Sequence, residues 1–124
     1  MKLTKNFSLS EFECKCDCTM DDEVLSSIKE LAANLQVLRD FVKKPISPTN
    51  GYRCLKHNRT IKGSKDTSQH VKGKAADIKI KGMTPDEVHK VIQSLITVEA
   101  MKEGGLSPYG TFTHYDIRGY KARW

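Results

Sequence analysis

The sequence has 124 residues, of which 38% are hydrophobic and 29% charged, and a formal net charge of +6 at pH 7. Residues 1–124 therefore suit a single domain with one modest core and are too few for two cores. No apolar run approaches the roughly 18–20 residues that a membrane span requires. The opening MKLTKNFSLSEFE lacks the apolar stretch of a secretory leader, so the chain is expected to be cytoplasmic on synthesis and to act elsewhere only after release or delivery.

Along the chain, SLSEFEC reads as a short helical turn with Phe12 as its core anchor. Next come Cys14, Cys16 and Cys18, with Cys54 farther on. Without a leader no disulfide framework is expected, and C-x-C-x-C lacks the two-residue gaps of a zinc ribbon. The expectation is buried thiols or a contact between Cys14 and Cys54, with a structural metal as the alternative. From Asp21 to about Val42 the pattern predicts a helix: Leu25, Ile28, Leu31, Leu35, Leu38 and Val42 recur at spacings of three and four behind Asp21, Asp22 and Glu23. Lys43, Lys44 and Pro45 end it.

PISPTNGYRC reads as an extended segment and a turn, CLKHNRTI as a short helix, and KGSKDTS as a loop. AADIKI alternates like a strand. TPDEVHKVIQSLITVEA, with Thr84 as cap, Pro85 at the first helical position and acids behind, predicts a second long helix to about residue 100. GGLSPYG reads as a loop or hairpin bend, TFTHYDI as a strand, and the tail RGYKARW should pack its last aromatic on the body. The fold expected is α+β, two long helices on a small, mainly antiparallel sheet carrying residues 75–80 and 111–117.

The basic residues favour anionic partners, but KK, KHNR and KGK are scattered and not interleaved with aromatics, so no nucleic-acid binding is expected. Of the four histidines, His57 and His89 are expected on the surface. His70 precedes a strand in a stretch rich in small residues, and His114 lies within one. Strand alternation puts Asp116 on the face of His114 and Tyr115 on the other. His70, Asp77 and His114 thus make a two-histidine, one-carboxylate set. Hydrolytic zinc sites use three such ligands and leave a fourth position to water. Spacing alone fits equally well with histidines hydrogen-bonded locally.

SQHVKGKAADI resembles the S-x-H-x-x-G-x-A-x-D motif of the M15 zinc peptidases, which include D-alanyl-D-alanine carboxypeptidases, phage endolysins and the related hedgehog domain. FTHYDIR resembles that family's F-x-H-x-D-x-R segment, NGYRC…HN its S-G-Y-R-x-x-x-x-N segment, and NFSLSEFECKC the start of its short, phage-type members. The resemblance runs from about residue 6 to Trp124. It implies a hedgehog- and DD-peptidase-like fold and one zinc ion bound by His70, Asp77 and His114. It also implies that Arg53 holds a substrate carboxylate or steadies an oxyanion, that Ser68 and Gln69 line the site, and that Gly73 and Ala75 let the strand pass beneath the metal.

Three positions depart from the family pattern. Where some relatives carry a glutamate base, three residues before the last histidine, stands Thr111. Where others carry a histidine, five residues before it, stands Tyr109, placed here among the substrate-binding residues. The serine before G-Y-R is Asn50. Asp116 is then either the partner that orients His114 or the base acting through water. The function implied is a monomeric zinc metallopeptidase acting on peptidoglycan stem peptides, as a carboxypeptidase or endopeptidase in phage or prophage lysis, without membrane insertion. The alternative is a non-catalytic zinc-binding domain that is structural or recognises wall peptides.

Overall fold

A computed structural model describes residues 1–15, 18–61 and 63–124. Cys16 lies outside the described residues. After a 3-10 turn at Leu9–Phe12, the chain forms α1 (Asp22–Val42), β1 (Ile46–Asn50), α2 (Leu55–Asn58) and β2 (Ala75–Ile80). It continues through α3 (Pro85–Thr97), β3 (Gly105–Pro108), β4 (Thr113–Asp116) and β5 (Ala122–Arg123). The strands join in one sheet of order β1-β2-β4-β3-β5, antiparallel except for the β3–β5 pair. The fold is α+β, with two long helices and a mainly antiparallel sheet, as the sequence predicts.

Both long helices begin where a side chain satisfies a terminal N–H that has no partner within the helix. Asp21 accepts from Val24 N at 2.8 Å to start α1. Thr84 and Glu87 exchange hydrogen bonds to start α3, Thr84 N donating to Glu87 Oε1 at 2.9 Å and Glu87 N to Thr84 Oγ1 at 3.2 Å. Helix α1 buries Ile28, Leu31, Leu35 and Leu38, one stripe of a 3.6-residue repeat. It closes at Lys43, in the left-handed region with φ 57°. Helix α3 stops at Thr97, short of the expected end, because Glu99 takes φ 61° and Ala100 N turns back to Leu95 O.

Alternation sorts the sheet into two faces. Ala76, Ile78, Ile80, Leu106 and Tyr115 join the side chains of α1 and α3, with Phe7 and Phe12, in the core. The opposite face carries Asp77, His114, Asp116 and Ser107, all buried. The register sets Asp77 opposite His114, Ala75 opposite Asp116 and Ser107 opposite His114. Two expectations need correction. GGLSPYG is not a loop throughout: residues 105–108 form β3, because β4 on one side and β5 on the other complete their hydrogen bonds. Gly73 does not lie beneath the site either. It turns with φ +71° against α1, where an added Cβ would come within 2.9 Å of Val24. Ala75, on the site face opposite Asp116, does have the expected place.

Candidate metal centre

His70, Asp77 and His114 are brought together, though they come from a loop and two strands. All three are buried, and one ligand atom from each lies within 4.8 Å of the others. His70 Nε2 is 3.4 Å from Asp77 Oδ1, and His114 Nδ1 is 3.2 Å from the same oxygen.

The outer nitrogen of each ring decides what the inner one can do. His70 Nδ1 is 2.8 Å from the carbonyl of Gly51, which can only accept, so the proton sits on Nδ1 and the Nε2 lone pair points inward. His114 Nε2 is 2.7 Å from Asp116 Oδ2, which likewise keeps a proton there and turns the Nδ1 lone pair inward. Two lone pairs and a carboxylate oxygen therefore converge. The separations of these nitrogens from Asp77 Oδ1, 3.4 and 3.2 Å, are spanned either by an imidazole proton or by a metal ion. The separations are also those of a tetrahedral edge, about 3.4 Å for ligand bonds of about 2.1 Å. The donor set fits a metal ion.

Asp116 is wholly buried and saturated. It accepts from His114 Nε2, from Gly105 N at 2.8 Å, and from the Arg118 backbone and guanidinium at 2.7–3.1 Å. Burial pushes its carboxyl up, but the bonds from His114 and Arg118 outweigh that and hold it well below the usual carboxylate range. Asp77 is depressed in the same way by His114 and His70 against its burial. For His114, burial opposes the charged form, yet Asp116 and Asp77 together raise its pKa. Gly104 and Gly105 give the backbone room to reach Asp116: a Cβ at Gly104 would collide with the Asp116 carbonyl, and one at Gly105 with its carboxylate and Arg118.

The cluster opens into a cleft of about 780 Å³, lined among others by Arg53, Lys65, Ser68, Gln69 and Lys72. Arg53 donates its backbone N–H to His70 O at 3.0 Å and one guanidinium nitrogen to Ser68 Oγ at 3.4 Å. Its Nε is buried without a hydrogen-bond partner among the described residues. Burial lowers the Arg53 pKa, while the charge of Asp77 opposes that shift. Asn58 of the NGYRC…HN segment donates to Lys65 O at 2.8 Å and so ties down the loop that walls the cleft.

Ser68, Gln69 and Tyr109 all line this cleft. Thr111 does not; it opens on a separate hollow beside Met83 and Pro85. His57 and His89, expected on the surface, are partly covered and stand outside the cleft. Sequence reasoning gave no role to Trp124, Arg118 and Phe112. The Trp124 ring lies 5.0 Å from the His114 ring, and its Nε1 donates to the Tyr109 hydroxyl at 2.6 Å. Arg118 lies over the rings of Trp124 and Tyr120 at 5.5 and 5.6 Å, and Phe112 stacks on Tyr109 at 4.7 Å. The arginine of FTHYDIR was the available signal for Arg118; for Trp124 there was only the expectation that the last aromatic packs back.

A buried pair of histidines and a carboxylate, each ring held from outside and with a basic cleft above, is a group that could hold a metal ion. The sequence matches the family model described as Peptidase M15 over residues 5–116, a span that includes all three cluster residues and Asp116, and the chain belongs to that family. No curated protein matches the chain. Among the described residues, no helix is long and apolar enough to cross a membrane.

Proposed function

We propose that the protein is a zinc-dependent peptidase that hydrolyses peptide bonds in peptidoglycan stem peptides, as a D,D-carboxypeptidase or an endolysin-type endopeptidase serving phage or prophage lysis. The observation that carries this reading is the buried Arg53 Nε without a partner among the described residues, in the cleft above the cluster. A buried donor left unsatisfied costs on the order of 1–3 kcal/mol. A carboxylate or a developing oxyanion would satisfy it, since the guanidinium fork suits two oxygens at once. Lys65 and Lys72 add positive charge to the same cleft, which suits acidic stem peptides.

His70 Nε2, Asp77 Oδ1 and His114 Nδ1 would hold the metal. Imidazoles with a carboxylate favour zinc over magnesium or calcium, which prefer oxygen shells. When bound, zinc supplies a more acidic water and a polarised carbonyl. The chain's own residues supply the rest. Asp116 keeps the proton on His114 Nε2; with its oxygens already occupied by His114, Gly105 and Arg118 it positions the ring and has little capacity left to act as a base. Tyr109, whose oxygen accepts from Trp124, retains its own O–H for a substrate carbonyl. Ser68 and Gln69 line the peptide path, and the Trp124 ring lies against that of His114.

One observation favours the second reading, a zinc-binding module that recognises wall peptides without cutting them. Among the described residues, Asp77 has the only acidic side chain lining the cleft, and it belongs to the cluster, so no other is there to take a proton. Digestion of purified peptidoglycan with and without chelator, followed by mass analysis of the fragments, decides between the two. The peptidase reading expects new stem-peptide termini that vanish with chelator and return with zinc. Intact peptides at full zinc occupancy would leave the binding module.

A further inference from the structure

We propose a second metal site, in which Cys14, Cys18 and Cys54 hold a soft divalent cation such as zinc through their sulfurs. The three Sγ atoms lie within 4.8 Å of one another. Cys14 Sγ and Cys54 Sγ are 3.8 Å apart. A disulfide would need about 2.05 Å. Two sulfurs on a tetrahedral metal, each bonded at about 2.3 Å, sit about 3.8 Å apart. The separation suits two co-ligands as well as the S–H···S hydrogen bond the pair makes in the absence of metal.

Two of the sulfurs accept backbone hydrogen bonds, and Cys14 Sγ also stands as a donor to Cys54 Sγ. Cys54 N donates to Cys14 Sγ and His57 N to Cys54 Sγ, both at 3.4 Å. The thiolate is the form that binds metal. All three residues are half-buried against the edge of the core, so the site is shielded without being sealed. Thiolates select zinc and its relatives over magnesium and calcium. Binding displaces the thiol protons to solvent, and a fourth ligand completes the shell.

This site would clip the segment after the 3-10 turn to the segment 51–54. That second segment carries the Gly51 carbonyl that holds His70 and the guanidinium of Arg53. Tyr52 N donates to Phe12 O at 2.8 Å, so backbone already joins the two segments beside the sulfurs.

The test uses the full chain, purified under reducing, anaerobic conditions and loaded with cobalt(II). Sulfur-to-cobalt charge transfer in the near ultraviolet is expected in the wild type and in His114→Ala, and should fall at least about twofold in Cys54→Ser. Metal content should drop by about one equivalent in each variant. The imidazole cluster contains no sulfur, so the band reports on the second site whether or not the peptidase reading holds. A reduced, cobalt-saturated wild type without the band would overturn the site, however the variants fold. So would a mass two hydrogens lower in the anaerobic protein, the mark of a disulfide.

Discussion

The two clusters differ in what holds their donor atoms in place. Asp77 and His114 sit opposite each other on adjacent strands, and His70 is pinned through Gly51. Each imidazole has an outer hydrogen-bond partner, and all three residues are buried. Two of the three donors are placed by the sheet and the third by a hydrogen bond to the turn after β1. Cys14 and Cys18 lie in irregular chain, Cys54 caps a helix of a single turn, and all three are half-buried. The first arrangement is built before a ligand arrives, as sites that perform chemistry require. The second would be completed by its ligand, as sites that staple a fold commonly are.

The largest effect that would test this contrast is removal of a strand-borne ligand. His114→Ala should abolish turnover of wall peptides while elemental analysis shows one metal equivalent lost and the thiolate metal retained. If the variant loses both, the clusters are one unit and the contrast fails. Next in size is Arg53→Lys, which should keep fold and metal content yet lower kcat/KM by on the order of 10²-fold, as the loss of one oxyanion donor does. Asp116→Asn should weaken metal binding at the imidazole cluster by roughly 10- to 100-fold, and metal titration should restore turnover at saturation. If turnover stays collapsed at every metal concentration, Asp116 moves protons as well as orienting His114. The smallest effect serves as a control: Thr84→Ala removes the cap of α3 and should cost about 1 kcal/mol in denaturant unfolding. Both metals should stay in place.

The helices were legible because Ile28, Leu31, Leu35 and Leu38 repeat at the helical period and because Asp21, Thr84 and Glu87 are capping residues in capping positions. The cluster was legible through motif spacing, and alternation placed Asp116 beside His114. Strand β3 was not, since Gly, Ser and Pro carry no strand pattern and residues 105–108 become a strand only through their neighbours. Gly73 was assigned to the wrong neighbour for a related reason. A small residue announces a close approach without naming what approaches, and here it is Val24 on α1. The placement of Trp124 over His114 depends on the parallel β3–β5 pairing and on Ser107 donating to the Trp124 carbonyl, neither of which leaves a local signature.

The close packing of Gly104 and Gly105 against Asp116 bears on how this sequence can change over time. A side chain at either position would meet the carbonyl or the carboxylate of Asp116. Position 104 is held to glycine by the backbone at 116 whatever side chain stands there, whereas position 105 is held to it by the Asp116 carboxylate and Arg118. Positions 105 and 116 are thus constrained together, and 104 by itself. A saturation library at 104 and 105, selected only for retained metal, should return glycine at both.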